Sequence, residues 1–216
     1  MNMTAPNTMN PAMELALSAN FGSLAGWRTD ALSLLRRACA HGAEVRLQFN
    51  REKGSLSHAL LPAPDHSNLS ASQAAVTLFT LTIKPEGSIE EALDGVDWAA
   101  VYALYQSAVH DASEGHAAQQ NELDAATLLD VRRAGMFEKA HTMIPRAQWR
   151  DPALVSHWAQ ALPHDEPVIV YCIYGHEVGR STALRLRAAG VNARYLLGGI
   201  DAWQTAGLPL VDKPVA

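Results

Sequence analysis

The spacing of apolar positions changes period several times along the chain, and each change marks an expected element. From about Glu14 to Ala40 apolar residues recur at helical spacing, with Leu32, Leu35, Ala38 and Cys39 on one face and Arg36 and Arg37 opposite. His41-Gly42 closes that segment, so one or two helices are expected there, with Cys39 packed into a core as a small apolar side chain. Glu44 to Asn50 alternates apolar and polar, part of Ser57 to Leu61 does the same, and Ala74 to Ile83 is rich in β-branched residues. Three antiparallel strands are the reading. Asp97 then offers an N-cap to a helix that carries Trp98, Val101 and Tyr105 on one face.

The second half alternates strands and helices. Residues 112–121 are polar and read as a linker, and Ala126 to Arg132 reads as a strand. Asp151-Pro152 supplies a cap and a first-turn proline for a helix through Leu154, Trp158 and Leu162, stopped at Pro163. Pro167 opens the run Val168-Ile169-Val170-Tyr171, short and β-branched, as expected of a strand buried on both faces. From Arg180 the period becomes helical, with Ala183, Leu186 and Ala189 on one stripe, Arg185 and Arg187 pointing away and Gly190 at the end; Ala193 to Leu197 is a further strand. Such alternation predicts an α/β domain with a mainly parallel sheet flanked by helices, preceded by an α+β domain with a small antiparallel sheet. Ligands of the former sit at the C-terminal strand ends.

The 216 residues, 48% of them hydrophobic, suffice for two modest cores or one large one. No apolar stretch approaches the roughly 20 residues that span a bilayer, so no membrane partner is expected. Residues 1–13 are polar and rich in Asn, Pro and Met, unlike a secretory signal; a disordered tail and a cytoplasmic location are the expectation. The net charge of −5 is uneven, with seven Lys/Arg against thirteen Asp/Glu in residues 1–122 and ten against nine thereafter, and nothing points to nucleic acid. The two cysteines form neither a disulfide framework nor a metal-ligand spacing. His58, His66, His110 and His116 stand singly in polar text and read as solvated surface residues, not metal ligands.

The candidate chemistry lies where the buried strand ends. Cys172 follows Tyr171, and Ile173, Tyr174, Gly175, His176, Glu177 and Val178 lead from it to Arg180 on the next helix. A loop curled over that helix start would aim backbone N–H groups and the positive helix end at the sulfur, which favours thiolate and makes a nucleophile. The competing reading, a cysteine that only fills core space, ranks second because the strand ends at this residue. Gly175 fits a tight turn with inward-facing N–H groups.

Tyr171-Cys172-Ile173-Tyr174-Gly175-His176, Leu129-Asp130-Val131-Arg132, Ile144-Pro145-Arg146-Ala147 and Leu197-Gly198-Gly199-Ile200-Asp201-Ala202-Trp203 together resemble, in order and spacing, the rhodanese (sulfurtransferase) family over residues 122–211. The resemblance implies that Cys172 accepts a sulfane sulfur from a small donor, persulfide or thiosulfate, and passes it to a thiol or cyanide acceptor without any cofactor. It implies that Ile173 to Val178, with Arg180, bind the substrate, and that Asp130 and Arg132 brace the loop or pair with one another. The loop departs from the commonest single-domain pattern, since Glu177 stands where an arginine follows the glycine by two. An acidic group there opposes a dianion, so low thiosulfate activity and a persulfide donor are expected.

The first half is similar to the C-terminal domain of iron/manganese superoxide dismutases over residues 14–111, through Asn20-Phe21-Gly22-Ser23 with Trp27, the Gly42 turn, and Val96 to Tyr102. Thr82 stands where that family's metal-binding Asp would be and Glu86 where its His would be, which implies a degenerate, metal-free domain. The same resemblance admits a homodimer through this domain, and the pairing of the two resemblances suits a stress response. The alternative to sulfur transfer is a non-enzymatic redox or persulfide-sensing interaction module; a metal-dependent superoxide dismutase ranks lower. A phosphatase on a similar fold needs an arginine six residues after the cysteine, where Val178 stands.

Overall fold

The computed structural model describes residues 9–41, 43–62, 74–82 and 88–214. Gly42, His66 and Glu86, named above, lie outside them, as do residues 1–8 of the expected tail. The chain forms two compact units, residues 1–51 with 55–108, and residues 52–54 with 109–216.

In the first unit α1 (Pro11–Phe21) is opened by Asn10, whose side chain accepts from the Ala12 N–H, and closed by Gly22 at φ 79°. Helix therefore begins inside the stretch expected as tail, and Met13 is fully buried. In α2 (Leu24–His41) the buried stripe is Ala31, Leu35 and Ala38. Cys39 is exposed, a correction to its expected core role. One residue past Ala38 is a 100° turn, enough to carry it off the stripe. Strands β1 (Ala43–Asn50), β2 (Ser55–Pro62) and β3 (Ala75–Leu81) form an antiparallel sheet in the order β2-β1-β3. Val45, Leu47 and Phe49 of β1 are all fully buried, as the alternation required.

Ser88 and Glu91 form a capping box on α3 (Ile89–Asp94), and Asp97 accepts from the Ala99 and Ala100 N–H groups to open α4 (Trp98–Ser113). Trp98 meets Trp27 edge-on at 5.2 Å and Phe79 at 5.7 Å, so an aromatic cluster sits within a mainly aliphatic first core. His58 is not the solvated residue expected. Its side chain is 1% exposed, Nδ1 lies 2.6 Å from Asp30 Oδ2, and its ring packs on Phe21. Burial pushes its pKa down against the pull of Asp30.

The second unit continues with β4 (Ala117–Ala118), β5 (Thr127–Asp130), α5 (Ala134–Lys139), β6 (Thr142–Met143), β7 (Gln148–Trp149), α6 (Val155–Trp158), β8 (Val168–Tyr171), α7 (Glu177–Ala188), β9 (Ala193–Leu196), α8 (Gly199–Thr205) and β10 (Val211–Asp212). Five strands form an all-parallel sheet in the order β4-β9-β8-β5-β7, while β6 and β10 pair antiparallel. β8 is central and buried throughout: Val168 and Val170 join the core with Ala183 and Leu186, whereas Ile169 and Tyr171 join the opposite one with Ile144, Leu196 and Trp203. Each such aliphatic side chain contributes about 1.5–3 kcal/mol, so the strand that carries Cys172 is firmly held.

Residues 112–121 are not a plain linker. Ser113 is fully buried, and β4 pairs in parallel with β9, Ala117 opposite Tyr195 and Ala118 opposite Leu196. Two alanines among polar neighbours carry no readable period. The helix expected from Asp151 is broken into a 3-10 turn (Pro152–Leu154), one turn of α6 and a second 3-10 turn (Ala159–Ala161). Val155 takes the core position and Leu154 is 47% exposed. Ala189, expected on the buried stripe of α7, lies past the helix and is exposed. No described helix is long and apolar enough to cross a membrane.

Candidate functional site

Cys172 is the first residue after β8, 6% exposed, and the loop it starts runs into α7 at Glu177. Carbonyls of the loop are engaged by groups outside it. Ile200 N–H, at the start of α8, donates to Cys172 O at 3.1 Å, and Asp201 N–H to Ile173 O at 3.0 Å. Arg180 Nε donates to Gly175 O at 2.9 Å. With these acceptors occupied elsewhere, the N–H groups of Gly179, Gly175 and His176 point at Sγ.

Glycines make the close approach feasible. Gly175 has φ 66°, and a Cβ there would lie 2.7 Å from Gly198 N and 2.8 Å from Leu196 O. Gly199, at φ 59°, would place a Cβ 2.6 Å from Cys172 O. A Cβ on Gly179 would stand 3.3 Å from Sγ itself. The Gly198-Gly199 pair is therefore the floor against which the cysteine loop is pressed.

Two influences compete at the sulfur. Burial comes first and pushes the Cys172 thiol above its ordinary range; the three N–H groups offset part of this, and the Glu177 carboxylate adds a smaller upward push. The N–H groups act toward thiolate, the direction expected of the loop and helix start, and withdrawal of the sulfur from water, which the sequence does not reveal, acts against them.

Above Sγ opens a cavity of about 110 Å³. The loop contributes Cys172, Ile173, Tyr174, His176, Glu177 and Val178, and the opposite wall is Arg132, Arg133 and Met136. Tyr174 is 55% exposed and stands at the rim. Among the residues singled out in the sequence, Gly175 lies behind the cavity and Arg180 does not reach it. Arg180 is buried, donates through Nη1 to Ser113 Oγ at 3.1 Å and stacks 4.2 Å from the Tyr195 ring. It therefore braces the loop from outside the cavity lining.

Asp130 and Arg132 form a buried pair. Arg132 Nε and Nη2 donate to the Asp130 carboxylate at 2.9 and 2.5 Å, and Nη2 also donates to Thr142 O at 3.0 Å. Tyr171 OH donates to Asp130 Oδ2 at 3.0 Å and accepts from Ile144 N–H at 3.2 Å. Burial, with the neighbouring carboxylate, pushes the Tyr171 phenol far up, so it stays a donor. Trp149 Nε1 donates to Arg132 O at 2.9 Å and its ring stacks on Phe137 at 4.9 Å. The ion pair is thus the brace under one wall of the cavity.

Sequence reasoning missed Arg133, Met136, Ser113, Tyr171 and Tyr195. Arg133 and Met136 lie just past the Asp130-Val131-Arg132 segment at a strand end, which was the available signal; the other three were concealed within apolar or linker-like text. Among the described residues no group of three or more His, Cys, Asp or Glu is placed to hold a metal ion. Thr82 is exposed just beyond β3.

Residues 111–206 match the family described as the rhodanese-like domain. The thiosulfate sulfurtransferase GlpE of Actinobacillus pleuropneumoniae is 31% identical over 90 residues, which is 41% of this chain and 81% of that protein. Its counterpart in Actinobacillus succinogenes is 33% identical over 90 residues, 41% of this chain and 78% of that protein. A solved rhodanese-related protein of Thermoplasma volcanium superposes with a TM-score of 0.38 at 24% identity, over 44% of this chain and 97% of the other. Through its second half, this chain belongs to the rhodanese-like family.

Proposed function

We propose that the chain is a sulfurtransferase in which Cys172 carries the transferred sulfur. The observation that carries this reading is the position of Sγ, at the end of a rigid central strand, under a small cavity and faced by the N–H groups of Gly175, His176 and Gly179. With a persulfide donor R–S–SH, the Cys172 thiolate attacks the outer sulfur, the donor S–S bond breaks, and R–S⁻ leaves with the electron pair. The enzyme is left as Cys172–S–SH. A thiolate or cyanide then takes the outer sulfur and returns Cys172 as thiolate. Anionic sulfur is present on both sides of this exchange, and amides fixed in advance stabilise it.

The names of the relatives, thiosulfate sulfurtransferases, support the reaction class. Glu177 on the cavity wall opposes a dianionic donor. Low thiosulfate:cyanide activity and a preference for a persulfide donor follow, and equal or better turnover with thiosulfate would overturn that preference. Residues 14–111 serve in this reading as a metal-free, dismutase-like docking domain.

A second reading, a persulfide-sensing module without turnover, is favoured by the raised Cys172 thiol, which makes a slower nucleophile. Intact-protein mass after exposure to a persulfide donor or thiosulfate separates the two. The sulfurtransferase gains one sulfur at Cys172, not in Cys172→Ser, and gives it up to cyanide or a thiol with multiple turnovers. A gain that is not passed on supports the sensor, and no gain overturns both.

A further inference from the structure

We infer that Arg133 selects the donor, and that the donor is a small organic persulfide carrying a carboxylate away from its reacting sulfur; the inference rests on the sulfurtransferase reading and deepens it. The cavity above Cys172 has two arginines on its far wall, and they differ in what holds them. The Arg132 guanidinium is neutralised by Asp130 and tied to Thr142 O. Arg133 is half-buried, lines the same cavity, and its side chain makes no hydrogen bond or ion pair with any described residue. An arginine presents five donors in a planar fork suited to a carboxylate, and here it lines a cavity with no described residue paired to its charge.

The other surfaces restrict what lies between that charge and the sulfur. Met136, Ile173, Val178 and the Tyr174 ring make most of the remaining wall apolar. The volume of about 110 Å³ is several times the roughly 10–15 Å³ that one water needs on the same measure, room for two sulfurs and a short hydrocarbon. Glu177 lies on the cysteine side and opposes an anion bonded directly to the reacting sulfur. The negative charge of the donor therefore belongs at the opposite end, on Arg133, with an apolar stem between. The sulfur exchange is unchanged: Cys172–S⁻ and R–S–SH give Cys172–S–SH and R–S⁻, and the carboxylate takes no part in it.

The test compares two donors that differ in the carboxylate, the persulfides of 3-mercaptopropionate and of propanethiol, by steady-state formation of thiocyanate from cyanide above the uncatalysed rate. In wild type the carboxylated donor should have a KM about tenfold lower, the size expected of one charge-assisted arginine contact, with a smaller difference in kcat. In Arg133→Gln the ratio of the two KM values should fall close to one, and Arg133→Lys should recover part of it. Turnover of the uncharged donor by Arg133→Gln reports that the variant is folded. Equal KM values in wild type, or a ratio that survives Arg133→Gln, overturns the inference while sulfur transfer stands. Failure of both donors to load wild-type Cys172 overturns the sulfurtransferase reading, and this inference with it.

Discussion

Gly175→Ala tests whether backbone geometry makes the sulfur site. At φ 66° an alanine is in the left-handed region, which costs about 1–2 kcal/mol. Its Cβ would also lie 2.7 Å from Gly198 N, 2.8 Å from Leu196 O and 3.0 Å from Gly199 N. All three are backbone atoms, so no flexible side chain can give way, and overpacking of this kind costs about 1–3 kcal/mol. A domain stable by about 5–15 kcal/mol survives such a sum, and the loop will relieve it by shifting. Any shift moves the Gly175 and His176 N–H groups off Sγ, and loss of one such donor costs on the order of 10²–10³ in rate. Sulfur loading of Cys172 should therefore fall at least about 100-fold, with a lowered urea midpoint but a folded protein. Gly115→Ala is the control, since a Cβ there meets nothing within 4 Å. A Gly175→Ala protein that loads sulfur at the wild-type rate, or a Gly115→Ala protein equally impaired, would refute the reasoning.

Because burial holds the Cys172 thiol above its ordinary value, alkylation by iodoacetamide should still be accelerating past pH ~8.5, the value for a free cysteine. Glu177→Gln should move that profile to lower pH, and a wild-type plateau below it would refute the assignment. Arg132→Leu strands the fully buried Asp130 carboxylate and should cost about 3–5 kcal/mol in urea unfolding; adding Asp130→Asn should recover most of it, and a double variant no better than the single would count against the pair. The His58 pKa is lowered by burial in the folded state, so below about pH 6.5 the unfolded chain takes up the proton first. Stability of the first unit is then complete above that pH, falls as pH drops toward the folded value and levels off below it. The same fall in a His58→Gln protein would show that another group is responsible.

The parallel sheet was legible because Val168-Ile169-Val170-Tyr171 is apolar on both faces, and the sheet indeed covers both. β4 was not, because a pair of residues has no period and Ala117-Ala118 sits in polar text. Cys39 shows how a helical stripe can be right and one residue on it wrong: Ala38 is 2% exposed and its neighbour is on the surface. His58 could have been found. Alternation along β2 puts it on the same face as the buried Leu56, and that register, not the polarity of an isolated histidine, decides its burial.

The site shows a different limit. Strand end, cysteine and loop glycine were readable, yet the ionisation of the cysteine was not, because it is a difference between burial and N–H groups that no local pattern reveals. What turns those N–H groups inward is where the carbonyls go, and that is decided at a distance. Cys172 O and Ile173 O are taken by Ile200 and Asp201, in a helix that begins at Gly199. Gly175 O is taken by Arg180, which is itself fixed by Ser113 from the end of α4 and by the Tyr195 ring of β9. The loop is thus held in shape by groups drawn from residues 113–201. This accounts for Arg180, expected at the substrate, standing behind the loop: a guanidinium turned into the cavity would leave the Gly175 carbonyl without its partner, free to rotate toward the sulfur that its own N–H now faces.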